Sequence, residues 1–111
     1  MKKFCFINNP SLKEFKALPT DIKMRFSNDL NAICQGKAPF SKFKHIGDSV
    51  GIGAVELKIN GSPAYRTIYV AKYRNTVYVL HSFVKTSNGV DKKAMSTARK
   101  RYKLMLSELK K

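Results

Sequence analysis

The chain has 111 residues, 43% hydrophobic and 26% charged, a balance that suits one folded domain over residues 1–111 and excludes a disordered chain. Its 22 Lys and Arg residues against 7 Asp and Glu residues give a net charge of +15. This excess favours an anionic partner, of which nucleic acid is the commonest and an anionic membrane surface the main rival.

The two cysteines and the N-terminus indicate an ordinary intracellular protein. Cys5 and Cys34 lack the spacing and the histidine neighbours of a zinc site, so we expect no metal or cofactor and interpret both as small core residues. The apolar run of residues 4–7 is too short for a signal peptide, and no other stretch could span a bilayer. The sequence therefore predicts a cytoplasmic protein without a membrane partner.

The N-terminal part predicts a short strand followed by a helical hairpin. Residues 4–7 have strand character, and the capping-box spacing of Ser11 and Glu14 predicts a helix over residues 12–18. Thr20 is expected to cap a second helix, which ends near Gly36 and carries an apolar stripe of Ile22, Phe26, Leu30 and Ile33. Residues 37–53 lack periodicity and are rich in Lys, Gly and Phe, which predicts a surface loop.

The C-terminal part predicts three strands and a basic helix. Residues 55–59, 65–71 and 77–84 have strand patterns and form an antiparallel meander, to which residues 4–7 can add at an edge. Asp91 can cap a final helix with one apolar face and many cations. The apolar positions are Met95, Ala98, Tyr102, Met105, Leu106 and Leu109, and the cations are Lys92, Lys93, Arg99, Lys100, Arg101, Lys103, Lys110 and Lys111.

Together these elements predict an α+β fold in which a helical hairpin packs on a small antiparallel sheet and a basic helix follows. With helices on one face, polar side chains should gather on the other. Because side chains alternate between the two faces along a strand, Glu56 and Lys58 share one face of their strand, and His81 and Lys85 share one face of theirs. Whether Arg66 joins either pair depends on the hairpin register, which the sequence leaves open.

Several segments in order carry a family resemblance: residues 55–59, residues 65–72, residues 77–86 and residues 98–102. Together with the preceding helical hairpin, their order and spacing resemble the phage-related HigB-like branch of the RelE/ParE toxin superfamily. The sequence departs from the family pattern after Lys85, where residues 86–90 lack two cations that relatives commonly carry.

The resemblance implies a RelE-like toxin of a type II toxin–antitoxin system. Relatives mostly cleave messenger RNA on the ribosome without a metal or cofactor. The resemblance also implies a cognate antitoxin, usually of helix-turn-helix type and encoded by the adjacent gene, together with messenger RNA and the ribosome as partners. Lys58, Arg66 and Lys85 fall where RelE-like enzymes place cations on successive strands.

RNA cleavage without a metal requires a base for the 2′-hydroxyl, cations for the phosphate and an acid for the 5′-oxygen. We therefore expect Glu56 to be the base, Lys58 and Arg66 to clamp the phosphate, and Lys85 to be a clamp or proton donor. His81 is the alternative acid or base because its ordinary pKa lies near neutrality. Further RNA contacts are expected from Lys72, Arg74, Arg99, Lys100 and Arg101.

Each of these residues also has a structural interpretation. Glu56 can pair with Lys58 or with a neighbouring arginine, and Arg66 can hold a helix terminus or the antitoxin. His81 can be a hydrogen-bonded sheet residue packed beside Phe83, and Lys85 can be a solvated strand end.

Two other function classes compete with the nuclease. A ParE-like protein would bind DNA gyrase without catalysis and would not need the cations on the sheet. A simple nucleic-acid-binding module would use the basic C-terminal helix and show steep salt dependence, but it would not account for a cationic hairpin.

Overall fold

The computed structural model describes residues 1–86 and 88–111. It contains five strands and three helices. In chain order they are β1 (Lys3–Phe6), α1 (Asn9–Lys16), α2 (Thr20–Cys34), β2 (Lys42–His45), β3 (Ala54–Ile59), β4 (Ala64–Val70), β5 (Thr76–Lys85) and α3 (Lys92–Leu109). Ser87, which belongs to the segment where the sequence departs from the family pattern, lies outside the described residues.

The five strands form one mixed sheet in the order β1-β5-β4-β3-β2. Strands β2 to β5 pair antiparallel with their neighbours, whereas β1 pairs parallel with β5 at the edge. The predicted α+β class, the three-strand meander and the added edge strand are confirmed. The predicted loop over residues 37–53 is wrong in part, because it contains β2. That strand has only four residues, all exposed, so no buried alternation marked it.

Helices cover both faces of the sheet. Phe15 of α1 and Phe26 of α2 pack with Leu57 in one apolar cluster on the first face. Met95 and Met105 of α3 belong to a second cluster, on the opposite face. The expectation of an uncovered second face is therefore wrong. A helix with an apolar stripe must bury it, and α3 uses the free face for this purpose.

The helix starts differ from the sequence prediction. Asn8, not Ser11, caps α1: its side chain accepts a hydrogen bond from the Ser11 amide at 2.9 Å, and Ser11 is the third helical residue. Asn is as good a cap as Ser, and Pro10 is suited to the first turn, so the helix begins earlier. Thr20 does not cap α2, which follows Pro19 without a side-chain cap. Asp91 caps α3 as predicted, accepting from the Ala94 amide at 2.9 Å.

The two cysteines have different environments. Cys34 is buried in the first apolar cluster, as predicted, whereas Cys5 is exposed. Cys5 lies on β1, an edge strand in which three of the four residues are exposed. The prediction that Cys5 is a core residue is therefore wrong.

Candidate functional site

The strand register places all five predicted catalytic residues, His81 included, on one face of the sheet. Lys58 of β3 lies opposite Arg66 of β4, and Arg66 lies opposite Phe83 of β5. Side chains alternate along a strand, so Glu56 shares the face of Lys58, and Lys85 shares the face of Phe83. The register that the sequence left open therefore places Arg66 with both sets.

Glu56 and Arg66 form a buried pair in this group. Their side chains are 11% and 6% exposed, and Arg66 Nε lies 3.8 Å from Glu56 Oε1. Arg66 also donates a hydrogen bond from its NH1 group to the Tyr65 carbonyl at 3.0 Å, but its buried Nε has no hydrogen-bond partner among the described residues. A buried donor without an acceptor is costly, and the carboxylate of Glu56 at 3.8 Å offsets this cost only through its charge.

Two clefts adjoin this face. One, of about 640 Å³, lies beside the β3–β4 turn and includes Arg66 and Lys85 in its wall. The other, of about 390 Å³, lies between β2, β3 and the start of α3 and includes Glu56, Lys58 and Lys85. Lys85 contributes to both walls and therefore stands at their boundary. An extended chain that crossed Lys85 would reach the base candidate on one side and the arginine on the other.

Strand β2 adds two cations that the sequence analysis did not select. Lys42 lies opposite Lys58, and Lys44 lies opposite Glu56, so both share the face of the candidate site. Lys44 also lines the smaller cleft. The signal available in the sequence was the alternation of Lys42 and Lys44 about Phe43, which is too short to distinguish a strand from a basic loop.

His81 shares this face but lines neither cleft, and its contacts form a separate cluster at the free edge of β5. Its ring stacks on Phe83 with centroids 4.9 Å apart, and its Nδ1 lies 2.8 Å from Glu14 Oε1. Arg101 donates to both Glu14 carboxylate oxygens, at 2.7 and 2.8 Å, and to the Leu80 carbonyl at 3.0 Å. His81 thus has the structural environment of a hydrogen-bonded sheet residue beside Phe83.

The charges of this edge cluster are mutually dependent. Burial would raise the pKa of Glu14, but hydrogen bonds from Arg101 and His81 outweigh it and hold that pKa below its ordinary value. Burial lowers the pKa of His81, and the opposing effect of Glu14 only partly compensates. A neutral His81 therefore donates its Nδ1 hydrogen to an ionised Glu14. Each of these two atoms is therefore engaged in a contact within the protein.

The predicted RNA-contact residues are dispersed. Lys72 and Arg74 are exposed in the β4–β5 turn, which is the opposite end of that hairpin from Lys85. Arg74 donates to the Leu109 carbonyl at the end of α3. Arg99 and Lys100 are exposed on α3, where Arg99 donates to the Ser49 carbonyl at 2.9 Å.

Arg101 differs from the other cations of α3, because it points inward to Glu14 with only 13% of its side chain exposed. Its NH1 and NH2 groups both donate to the Glu14 carboxylate. The structure therefore removes Arg101 from the exposed basic surface.

Neither a metal centre nor a transmembrane helix is found in the part of the chain that the structure describes. No group of three or more His, Cys, Asp or Glu side chains in residues 1–86 and 88–111 could hold a metal ion. In the same residues no helix combines the length and apolar character needed to cross a membrane.

Comparison with known proteins identifies a family. The family model described as "Phage derived protein Gp49-like (DUF891)" matches residues 13–103, which include α2, all strands except β1, and most of α3. No curated protein matches the chain. Because the match covers well over half of the chain, the protein belongs to the Gp49-like family of phage-derived proteins, which is part of the RelE/HigB-like toxin group.

Proposed function

We propose that this protein is the toxin of a type II toxin–antitoxin system and acts as a ribosome-dependent, metal-independent endoribonuclease on messenger RNA. The observation that supports it best is the convergence of Glu56, Lys58, Arg66 and Lys85 on one face beside two clefts. Membership of the Gp49-like family is consistent with a RelE/HigB-type toxin.

The proposed chemistry begins at Glu56. Its carboxylate accepts the proton of the RNA 2′-hydroxyl, whose oxygen then attacks the adjacent phosphorus. This forms a 2′,3′-cyclic phosphate and breaks the bond from phosphorus to the 5′-oxygen. A base in this position needs an open side toward the substrate, and Glu56 lines the smaller cleft although the residue is only 9% exposed.

The cations stabilise the charge that develops on the phosphate. Lys58 and Arg66 lie opposite each other on neighbouring strands and can hold the two non-bridging oxygens, Arg66 through the part of its side chain that lines the larger cleft. Fixed charges in a partly desolvated site provide the largest catalytic contribution in many enzymes. Lys85, at the boundary of the two clefts, holds the strand or protonates the leaving 5′-oxygen.

The proposed partners of the protein are the ribosome with its messenger RNA and a neutralising antitoxin that is encoded by the adjacent gene. The net charge of +15 supports contact with ribosomal RNA, and the exposed cations Lys100 and Lys103 on α3 provide one such surface. The same surface can meet an acidic antitoxin, so only a direct binding measurement separates the two roles.

The test uses substitutions that spare the fold. Arg66→Ala is unsuitable by itself, because it leaves buried Glu56 without its cation and can unfold the sheet. Lys58→Ala removes a cation that forms no ion pair within the described residues, and Glu56→Gln keeps a side-chain oxygen of the same size beside Arg66. Lys16→Ala, at an exposed lysine of α1, is the matched control for loss of one charge. Each variant is induced in bacteria and the ends of messenger RNAs are mapped. The purified proteins are then added to a cell-free translation reaction and, separately, to the same messenger RNA without ribosomes.

We expect new 3′ ends within translated codons for the wild type and the control, and a loss of cleavage of at least about 100-fold for Lys58→Ala and Glu56→Gln. Melting curves establish that the variants are folded. Intact messages with a DNA-damage response would refute the nuclease and favour a gyrase-binding toxin. Growth without arrest would leave a nucleic-acid-binding protein as the remaining function.

A further inference from the structure

Three cations form a straight row across the sheet. Lys42 of β2 lies opposite Lys58 of β3, and Lys58 lies opposite Arg66 of β4. Neighbouring strands are about 4.8 Å apart, so the row extends for about 10 Å across three strands. Lys44 stands beside the row, opposite Glu56.

This row is unfavourable for the isolated protein. Like charges directly opposite each other on neighbouring strands destabilise a sheet. Within the described part of the chain, no carboxylate lies within ion-pair distance of Lys42, Lys44 or Lys58, and Glu56 pairs with Arg66 alone. An external anion would remove the repulsion that the protein leaves uncompensated.

We propose that β2 is part of the RNA-binding surface, with Lys42 and Lys44 contacting phosphates next to the scissile one. This inference rests on the proposed nuclease function and assigns it two further substrate-binding residues. A regular row of cations suits the repeating phosphates of a single strand, and it leads directly to Glu56 and the smaller cleft.

The strand that carries these lysines is anchored. Asp29 of α2 is fully buried, and its Oδ1 accepts hydrogen bonds from the amides of Phe40 at 2.8 Å and Ser41 at 3.0 Å. These amides immediately precede Lys42, and the ladder with β3 continues to His45. Asp29 is thus a positioning residue that presents the lysines on a fixed strand, which lowers the entropy lost on binding.

The test measures binding separately from cleavage. A labelled single-stranded RNA with a 2′-O-methyl group at every position cannot be cleaved, and its affinity is measured over a range of salt concentrations. The variant is Lys42→Ala/Lys44→Ala, and Lys16→Ala/Lys37→Ala is the control, which removes two exposed lysines outside both clefts. Lys42→Arg/Lys44→Arg retains the charge and serves as the rescue variant.

We expect the Lys42→Ala/Lys44→Ala variant to bind roughly 10-fold more weakly, and the slope of log affinity against log salt to fall by about 1.4, or about 0.7 for each phosphate contact. The control should keep most of the wild-type slope, and the arginine variant should restore it. Equal losses in the variant and the control would overturn the inference, since they would show only the effect of net charge. Unchanged RNA affinity would overturn it as well and favour an acidic protein at β2.

The translation assay of the proposed function distinguishes the two failures. If the wild type cleaves messenger RNA and the Lys42→Ala/Lys44→Ala variant cleaves and binds equally well, the nuclease stands and the role of β2 is refuted. If the wild type binds RNA through these lysines but cleaves nothing, the nuclease is refuted while the contact surface remains.

Discussion

Replacing Glu14 with glutamine should weaken the attachment of α3 to the sheet. Glu14 accepts two hydrogen bonds from Arg101 and one from His81, and it thereby joins α1, β5 and α3. Strand β1 pairs only with residues 76–79 of β5, so this cluster occupies the edge of β5 that β1 leaves free. The change retains the size of the side chain and removes its charge.

The expected loss follows from the geometry. Hydrogen bonds to a charged group contribute about 1.5–3 kcal/mol, and removing one partner of a buried ion pair costs about 3–5 kcal/mol. Glu14 keeps 27% of its side chain exposed, and glutamine retains one acceptor, so we expect a loss of about 2 kcal/mol. For 111 residues the unfolding entropy is about 0.23 kcal/mol/K, which converts the loss to about 9 °C in Tm.

The assay is thermal and urea unfolding of the purified proteins, followed by circular dichroism. Glu108→Gln is the matched control, because Glu108 forms an exposed pair with Lys111 and should change the free energy of unfolding by less than about 0.5 kcal/mol. If Glu14→Gln melts within about 2 °C of the wild type, the cluster does not hold α3 and the reasoning fails.

Three further predictions concern pH and packing. Burial lowers the pKa of His81 below 6.5 in the folded protein, so as the pH falls the unfolded chain takes up the His81 proton before the folded protein does. The stability that neutral His81 provides is therefore fully present above pH 6.5 and is lost as the pH falls through the pKa of the folded protein. Melting between about pH 7.5 and 5.5 should show this decline, and an equally steep decline in His81→Gln would contradict it. Asp29→Ala should cost about 2–4 kcal/mol in urea unfolding and Asp29→Asn less than half as much, because asparagine can still accept from the two amides; equal losses would argue against the anchor. Gly51→Ala would place a Cβ 2.4 Å from Cε1 of Tyr102, so we expect a loss of about 2 kcal/mol, and an unchanged urea midpoint would show that the ring yields freely.

Strong local periodicity made the main elements predictable from the sequence. The apolar stripe of α2, the alternation of β3 and the apolar face of α3 each repeat over enough residues to identify one structure. The short strand β2 and the start of α1 were missed or misplaced because four exposed residues, or two competing caps, carry too little local information. The order of segments also sufficed to indicate the toxin group to which the family belongs.

The sequence by itself determined which residue types are present at the candidate site and that the chain carries a large positive charge. Only the tertiary structure decided which of them meet. Strand register, a non-local property, placed Arg66 between Lys58 and Phe83 and added Lys42 to the row. The sequence shows that Arg101 is cationic and that His81 is titratable, but not what they contact. In the fold, α1 and α3 pack at the edge of β5, and both side chains contact Glu14 because a partly buried carboxylate there needs partners.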